Sequence, residues 1–153
     1  MERKTSWNDY KKKELKKMNK LCDAYREFLD KGKTERECVT EIIRQAEEAG
    51  YVDLQTCIQE DTPLHAGDKV YAVCMKKSVV LFQIGSKPLT DGMNILGAHI
   101  DSPRLDVKQN PLYEDTGFSY LDTHYYGGIK KYQWVALPLA IHGVVVKKDG
   151  TVV

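Results

Sequence analysis

The sequence predicts an α/β fold. Two segments in the first third of the chain carry apolar residues at the three- and four-residue steps of amphipathic helices, whereas much of the remainder is rich in β-branched residues and divided by glycine and proline. With 153 residues, of which 42% are apolar, the chain is long enough to bury one ordinary core. We therefore expect helices and a sheet, followed by a second, β-rich part.

The first predicted helix begins after Ser6, a residue type that caps helices well, and ends at Gly32. Its apolar residues recur mostly at helical spacing: Trp7, Tyr10, Met18, Leu21, Cys22, Tyr25, Phe28 and Leu29. Such a stripe is typical of a helix face that packs against a core. We expect a core-facing surface here and not a cofactor site.

A basic run lies on the same predicted helix. It consists of Lys11, Lys12, Lys13, Lys16, Lys17 and Lys20. Nucleic-acid binding is one interpretation, but Glu14 interrupts the run and no stacking aromatics alternate with the lysines on their exposed side. A solvated helix face explains the run more simply, so we expect no nucleic-acid partner.

A second helix is predicted over residues 35–49. The sequence Thr34-Glu35-Arg36-Glu37 is typical of a capping box, and Gly50 suits the position just after a helix. The apolar residues that keep the helical period are Val39, Ile42, Ile43 and Ala46.

Two β-rich runs, residues 69–75 and 78–84, are separated by Lys76-Lys77 and predict a hairpin. A loop follows from Gly85 to Gly92. The short apolar run 94–98 then predicts a buried strand that ends just before a histidine. Because ligands of open α/β sheets bind at the carboxyl ends of strands, the residues after this run are candidates for a site.

His99 and Asp101 follow that predicted strand, and Pro103 stiffens the loop that holds them. Neutral imidazole is a good zinc ligand, and a nearby carboxylate can accept the N–H of the other ring nitrogen and orient the ring. The His-x-Asp spacing therefore predicts one corner of a metal site. A structural histidine or a simple loop hydrogen bond stays open as an alternative.

Other candidate site residues are weaker. We expect His65 in a surface loop, His124 in a strand or interface, and His142 packed or hydrogen-bonded within an apolar β run. Arg104 could contact a substrate carboxylate or pair with Asp106. The chain has no His-Glu-x-x-His sequence of the kind that marks single-motif metalloproteases.

The pattern changes after Pro103. Residues 105–109 alternate between apolar and polar, Asn110-Pro111 breaks the alternation, and residues 134–146 form a further β-rich run. The Asp149-Gly150 turn begins a hairpin. We expect a separate β-rich piece from about Val107 that is incomplete within this chain.

Composition narrows the class of protein. The formal net charge is +1, no apolar run approaches the roughly 18 residues of a membrane span, and Met1–Trp7 lacks a signal-peptide core. The four cysteines are well separated and form no Cys-x-x-Cys pair. We expect a cytoplasmic protein without a membrane partner.

Three segments together resemble the M18 family of zinc aminopeptidases, the aspartyl-aminopeptidase group. They are Gly97–Leu105 (GAHIDSPRL), Thr123–Gly128 (THYYGG) and Leu139–Val146 (LAIHGVVV). The preceding helices and hairpin match the amino-terminal layout of the family, so the resemblance covers almost the whole chain. One departure is Ile100, which stands where many members have threonine.

The resemblance implies an exopeptidase with two zinc ions that removes residues from peptide amino termini. Residues 1–106 would be the amino-terminal part of its α/β catalytic domain, and residues 107–153 the first part of an inserted, β-rich dimerisation domain. His99 matches the first zinc ligand, and Asp101 matches the catalytic-site carboxylate that orients it. The family also implies homo-oligomers that assemble through the inserted domain.

The resemblance further implies that the other metal ligands and the glutamate general base lie beyond Val153. A catalytic zinc needs about three protein ligands, so we expect this chain alone not to hold the pair of zinc ions. A non-catalytic assembly or dimerisation fragment is the alternative hypothesis for the chain by itself.

Overall fold

A computed structural model describes residues 5–153 and divides the chain into two compact units, one ending at Leu96 and the other beginning at Gly97. Residues 1–4, which belong to the segment in which we find no signal-peptide core, lie outside the described residues. The predicted domain boundary between residues 106 and 107 stays a prediction.

Within residues 5–96, the first unit contains three α-helices and a three-stranded sheet. Its elements are α1 (Lys12–Lys31), α2 (Glu35–Glu48), β1 (Val52–Asp53), α3 (Leu54–Gln59), β2 (Lys69–Cys74) and β3 (Ser78–Gln83). The sheet order is β1-β2-β3, in which β1 runs parallel and β3 antiparallel to β2. The predicted α/β class and the predicted hairpin are thus confirmed, whereas β1 and α3 are additional elements.

The helix ends follow local hydrogen bonding. The predicted capping box of α2 is present, because the Thr34 side chain accepts from the Glu37 N–H and the Thr34 N–H donates to Glu37 Oε2 at 2.8 Å. The predicted cap at Ser6 is wrong, since Ser6 starts a short 3-10 turn that Thr5 caps. The long helix begins only after Lys11, whose N–H donates to Glu14 Oε2 at 2.8 Å.

Gly32 ends α1, as predicted, and also permits a close approach to α2. A Cβ atom at this position would lie 2.6 Å from Cys38 Sγ and 3.3 Å from Cys38 Cα. The missing side chain therefore lets the end of α1 approach the first turn of α2.

The core of the first unit lies where α2 and α3 meet the sheet. Its buried apolar residues are Cys38, Val39, Ala46, Cys57, Val70 and Tyr71. The prediction that the apolar stripe of α1 is core is wrong, because Leu21 and Tyr25 are 71% and 60% exposed and no residue of α1 is buried. α1 packs against α2, and that contact covers little of the stripe.

The predicted strand at residues 94–98 is also wrong. The segment has no strand pairing, and Leu96 is fully exposed. A buried strand requires neighbouring strands and covered faces. Among residues 5–153, no strand pairs with this segment.

The second unit is built on a long antiparallel ribbon of β4 (Arg104–Asp115) and β5 (Phe118–Tyr126). Thr116 and Gly117 make the turn with positive φ angles of 52° and 81°. Asn110-Pro111 does not end the strand but lies where the register shifts between Val107 and Leu112, because a bulge accommodates a proline that cannot donate to the ladder.

The β-rich run predicted at residues 134–146 is mostly wrong. A short helix, α4 (Lys131–Trp134), is followed by irregular chain containing Pro138 and Gly143, which disfavour a continuous strand. Only the end of the run pairs, since Val145 and Val153 exchange backbone hydrogen bonds of 2.8 and 2.9 Å around the predicted turn. No helix among residues 5–153 is long and apolar enough to cross a membrane.

Candidate metal centre

His99 and Asp101 lie in the loop that leads into β4. The His99 Nδ1 atom is 3.1 Å from Asp101 Oδ1 and 2.9 Å from the Asp101 carbonyl oxygen. The His99 side chain is 83% exposed. Because these contacts use Nδ1, the second ring nitrogen, Nε2, is the one left to bind a metal. The structure therefore brings the two residues together, while their roles as zinc ligand and orienting carboxylate stay predictions.

The second oxygen of Asp101 has a different partner. The Tyr126 hydroxyl donates to Asp101 Oδ2 at 2.7 Å. This hydrogen bond, followed by the Asp101 backbone N–H and His99, holds the pKa of the Asp101 carboxyl below its usual range, although partial burial acts in the opposite direction. Asp101 is thus an ionised acceptor that connects an imidazole to a phenol.

Tyr126 is held at the end of the ribbon. It lies opposite Arg104 in the strand register, and the Arg104 guanidinium is 4.3 Å from the centre of the Tyr126 ring. Arg104 Nε also donates to Asp106 Oδ1 at 2.7 Å, which is the pairing that the sequence left open for this residue.

The chain turns sharply after Tyr126. Gly127 has a φ of +73°, and a Cβ atom there would lie 3.3 Å from Pro103 Cα. Glycine therefore allows the end of β5 to lie directly against the loop of the candidate site.

Sequence reasoning did not assign a role to Tyr126. The residue is 25 positions from Asp101, and the bulge in β4 shifts the strand register between them. Without that shift, the pairing set at the turn would place Ile129 opposite Arg104. The alternation of the strands was visible in the sequence, but the size of the bulge was not.

Two other histidines have contacts with residues outside this pair. His65 is exposed, with Nδ1 3.7 Å from Asp68 Oδ2, and His124 lies on β5 with Nδ1 3.3 Å from the Tyr125 carbonyl oxygen. His142 lies in an exposed, irregular segment and not in the strand predicted for it. Among residues 5–153, no three His, Cys, Asp or Glu side chains are grouped so as to hold a metal ion.

Comparison with known proteins identifies the family. The family described as Aminopeptidase I zinc metalloprotease (M18) matches residues 28–153. A Clostridium acetobutylicum protein, named probable M18 family aminopeptidase 1, is 58% identical over 152 residues, which are 99% of this chain and 33% of that protein. A Thermotoga maritima protein of the same name is 47% identical over 99% of this chain and 32% of its own length.

A solved structure agrees. The crystal structure of aminopeptidase I from Borrelia burgdorferi B31 superposes with a TM-score of 0.89 at 39% identity, over 98% of this chain and 36% of that one. The chain thus spans about a third of the length of the relatives that it matches. The resemblance found in the three sequence segments is confirmed, and this chain belongs to the M18 family of zinc metalloproteases.

Proposed function

We propose that the full-length enzyme, meaning this chain continued to the length of its M18 relatives, is a zinc-dependent aminopeptidase that removes residues from the amino termini of peptides. The observation that carries the proposal is the His99–Asp101 pair, in which the carboxylate contacts Nδ1 and leaves Nε2 on an exposed ring. One imidazole beside one carboxylate suits zinc, and membership of a zinc metalloprotease family supports that metal.

The two residues have distinct tasks in this proposal. His99 binds one of two zinc ions through Nε2. Asp101 accepts the N–H of Nδ1, which selects the tautomer and makes Nε2 more basic. When bound, zinc polarises the scissile carbonyl and makes water nucleophilic at neutral pH. We place the remaining ligands and the proton acceptor in the part of the enzyme beyond Val153.

Replacement of His99 tests this assignment. In the full-length enzyme, we expect His99→Ala to lower zinc content and to reduce peptidase activity by more than the roughly 10–100-fold typical of losing an outer hydrogen-bond partner. Metal analysis by mass spectrometry and hydrolysis of a panel of amino-acid p-nitroanilides measure the two effects.

A matched control is His65→Ala, because His65 is an exposed histidine of the first unit. It should retain both zinc and activity. Near-normal zinc and activity in His99→Ala would contradict the proposed function.

We also propose that the ribbon of β4 and β5 mediates self-association, with a second copy of the chain as the partner. Tyr113 stacks on Tyr120 at 5.1 Å between ring centres, and Phe118 lies 6.3 Å from the same ring. This aromatic face remains exposed, with Tyr113 at 51% and Phe118 at 65%. A two-stranded ribbon is marginally stable alone, and an exposed apolar face on it favours pairing.

Sedimentation velocity of the 153-residue chain tests this second proposal. We expect the chain to associate as its concentration rises, and Tyr113→Ser combined with Phe118→Ser to shift it to monomer. The control pair Leu21→Ser and Tyr25→Ser removes exposed apolar surface from α1 and should leave association unchanged. Equal association of the ribbon variant and the unsubstituted chain would refute the ribbon as the interface.

A further inference from the structure

We propose that Tyr126 is a positioning residue of the zinc site, which acts on His99 through Asp101; this inference rests on the proposed function. The two oxygens of the Asp101 carboxylate are used by two different partners. Oδ1 lies 3.1 Å from His99 Nδ1, and Oδ2 accepts from the Tyr126 hydroxyl at 2.7 Å. A carboxylate bound at both oxygens cannot rotate about its Cβ–Cγ bond without breaking one contact. Tyr126 therefore restricts the orientation of the Asp101 carboxylate that contacts His99.

The phenol can do this because its own position is restrained. Backbone pairing fixes Tyr126 opposite Arg104, and the guanidinium of Arg104 covers the ring. Arg104 is itself held by Asp106. The hydroxyl is therefore presented from a paired strand to a loop that has no regular structure of its own.

The surroundings make this restraint more important. The His99 side chain is 83% exposed, so packing does little to restrict it, and the Asp101 side chain, at 34% exposed, is only partly covered. Hydrogen bonds therefore restrict the orientation of the two side chains, as packing does for side chains in a core. Substitution of a residue that hydrogen-bonds to a metal ligand, directly or through a second residue, typically lowers metal affinity or activity by about 10–100-fold.

The test is Tyr126→Phe in the full-length enzyme, which removes the hydroxyl and keeps the ring beneath Arg104. We expect zinc affinity, measured by competition with a chromophoric chelator, to fall by about tenfold. The melting temperature of the zinc-free protein should stay unchanged. Tyr125→Phe, at the neighbouring position of the same strand, is the control and should bind zinc normally, because the Tyr125 ring contacts Lys131.

A second comparison separates positioning from a general structural role. In an Asp101→Ala background, Tyr126→Phe should have no further effect on zinc affinity, because the hydroxyl acts only through that carboxylate. Additive losses would overturn the proposal, as would unaltered zinc affinity in Tyr126→Phe. If His99→Ala loses zinc while Tyr126→Phe retains it, the positioning role alone fails, and if His99→Ala retains zinc, the proposed function fails.

Discussion

The two units of this chain are ordered by different means. The first unit has a core in which Val39 is only 1% exposed, whereas no residue from Gly97 to Val153 is buried. In the second unit, order comes from the backbone pairing of β4 with β5 and from polar contacts such as those of Asp101. The candidate metal site belongs to this second unit.

This difference changes what a single side chain can do. In a packed core, many contacts restrict each residue, and the loss of one hydrogen bond moves little. In the loop of His99, the two oxygens of one carboxylate contact His99 and Tyr126 and so restrain both side chains. Functional loops are commonly drawn from such weakly packed regions, since they must remain open to ligands.

The same substitution made in both units provides the sharpest test of the comparison. Val39→Ala removes two buried methyl groups and leaves a cavity, so we expect it to lower the free energy of unfolding by about 2 kcal/mol. Val107→Ala in β4, where valine is 48% exposed, should cost less than about 1 kcal/mol. Urea denaturation of the 153-residue chain, followed by circular dichroism, measures both.

Equal losses from the two substitutions would show that the ribbon contributes as much burial as the first unit. The two units would then be packed to a similar degree. Packing, and not hydrogen bonds alone, would then position Asp101.

Predictions from the sequence succeeded where the deciding interactions are local. The capping box of α2 depends on residues three positions apart, and the hairpin of β2 and β3 depends on two adjacent runs with a short turn. The predictions that the stripe of α1 and the run at 94–98 are buried were wrong, because burial depends on which other elements pack against a segment. Apolar spacing identifies a face but not the partner that covers it.

The candidate site shows the same limit. His99 and Asp101 are two residues apart, so their contact could be predicted from spacing and loop stiffness alone. Tyr126 reaches Asp101 only because β5 pairs with β4 and a bulge shifts their register. A register shift depends on the geometry of both strands, so the residues next to Tyr126 in the sequence do not predict it.

A smaller effect should follow from Glu41, the one buried carboxylate among residues 5–96. It accepts from Arg44 Nη2 at 2.6 Å, from Gln45 Nε2 at 2.9 Å and from Lys31 Nζ at 3.3 Å. Hydrogen bonds from Arg44, Gln45 and Lys31 hold the pKa of Glu41 far below its ordinary value, although burial opposes them. The stabilisation is therefore fully present above the ordinary pKa of 4.5 and is lost as the pH falls below it.

Thermal denaturation between about pH 7 and pH 3 measures this contribution of Glu41. We expect Glu41→Gln to lower the melting temperature at neutral pH, by less than Val39→Ala does, because Arg44 and Lys31 are half exposed and water screens their charges. The difference from the unsubstituted chain should shrink as the pH falls. Glu27→Gln, on the exposed surface of α1, is the matched control for the change of side chain. A constant difference for Glu41→Gln across this range would mean that the carboxylate contributes through shape and not through charge.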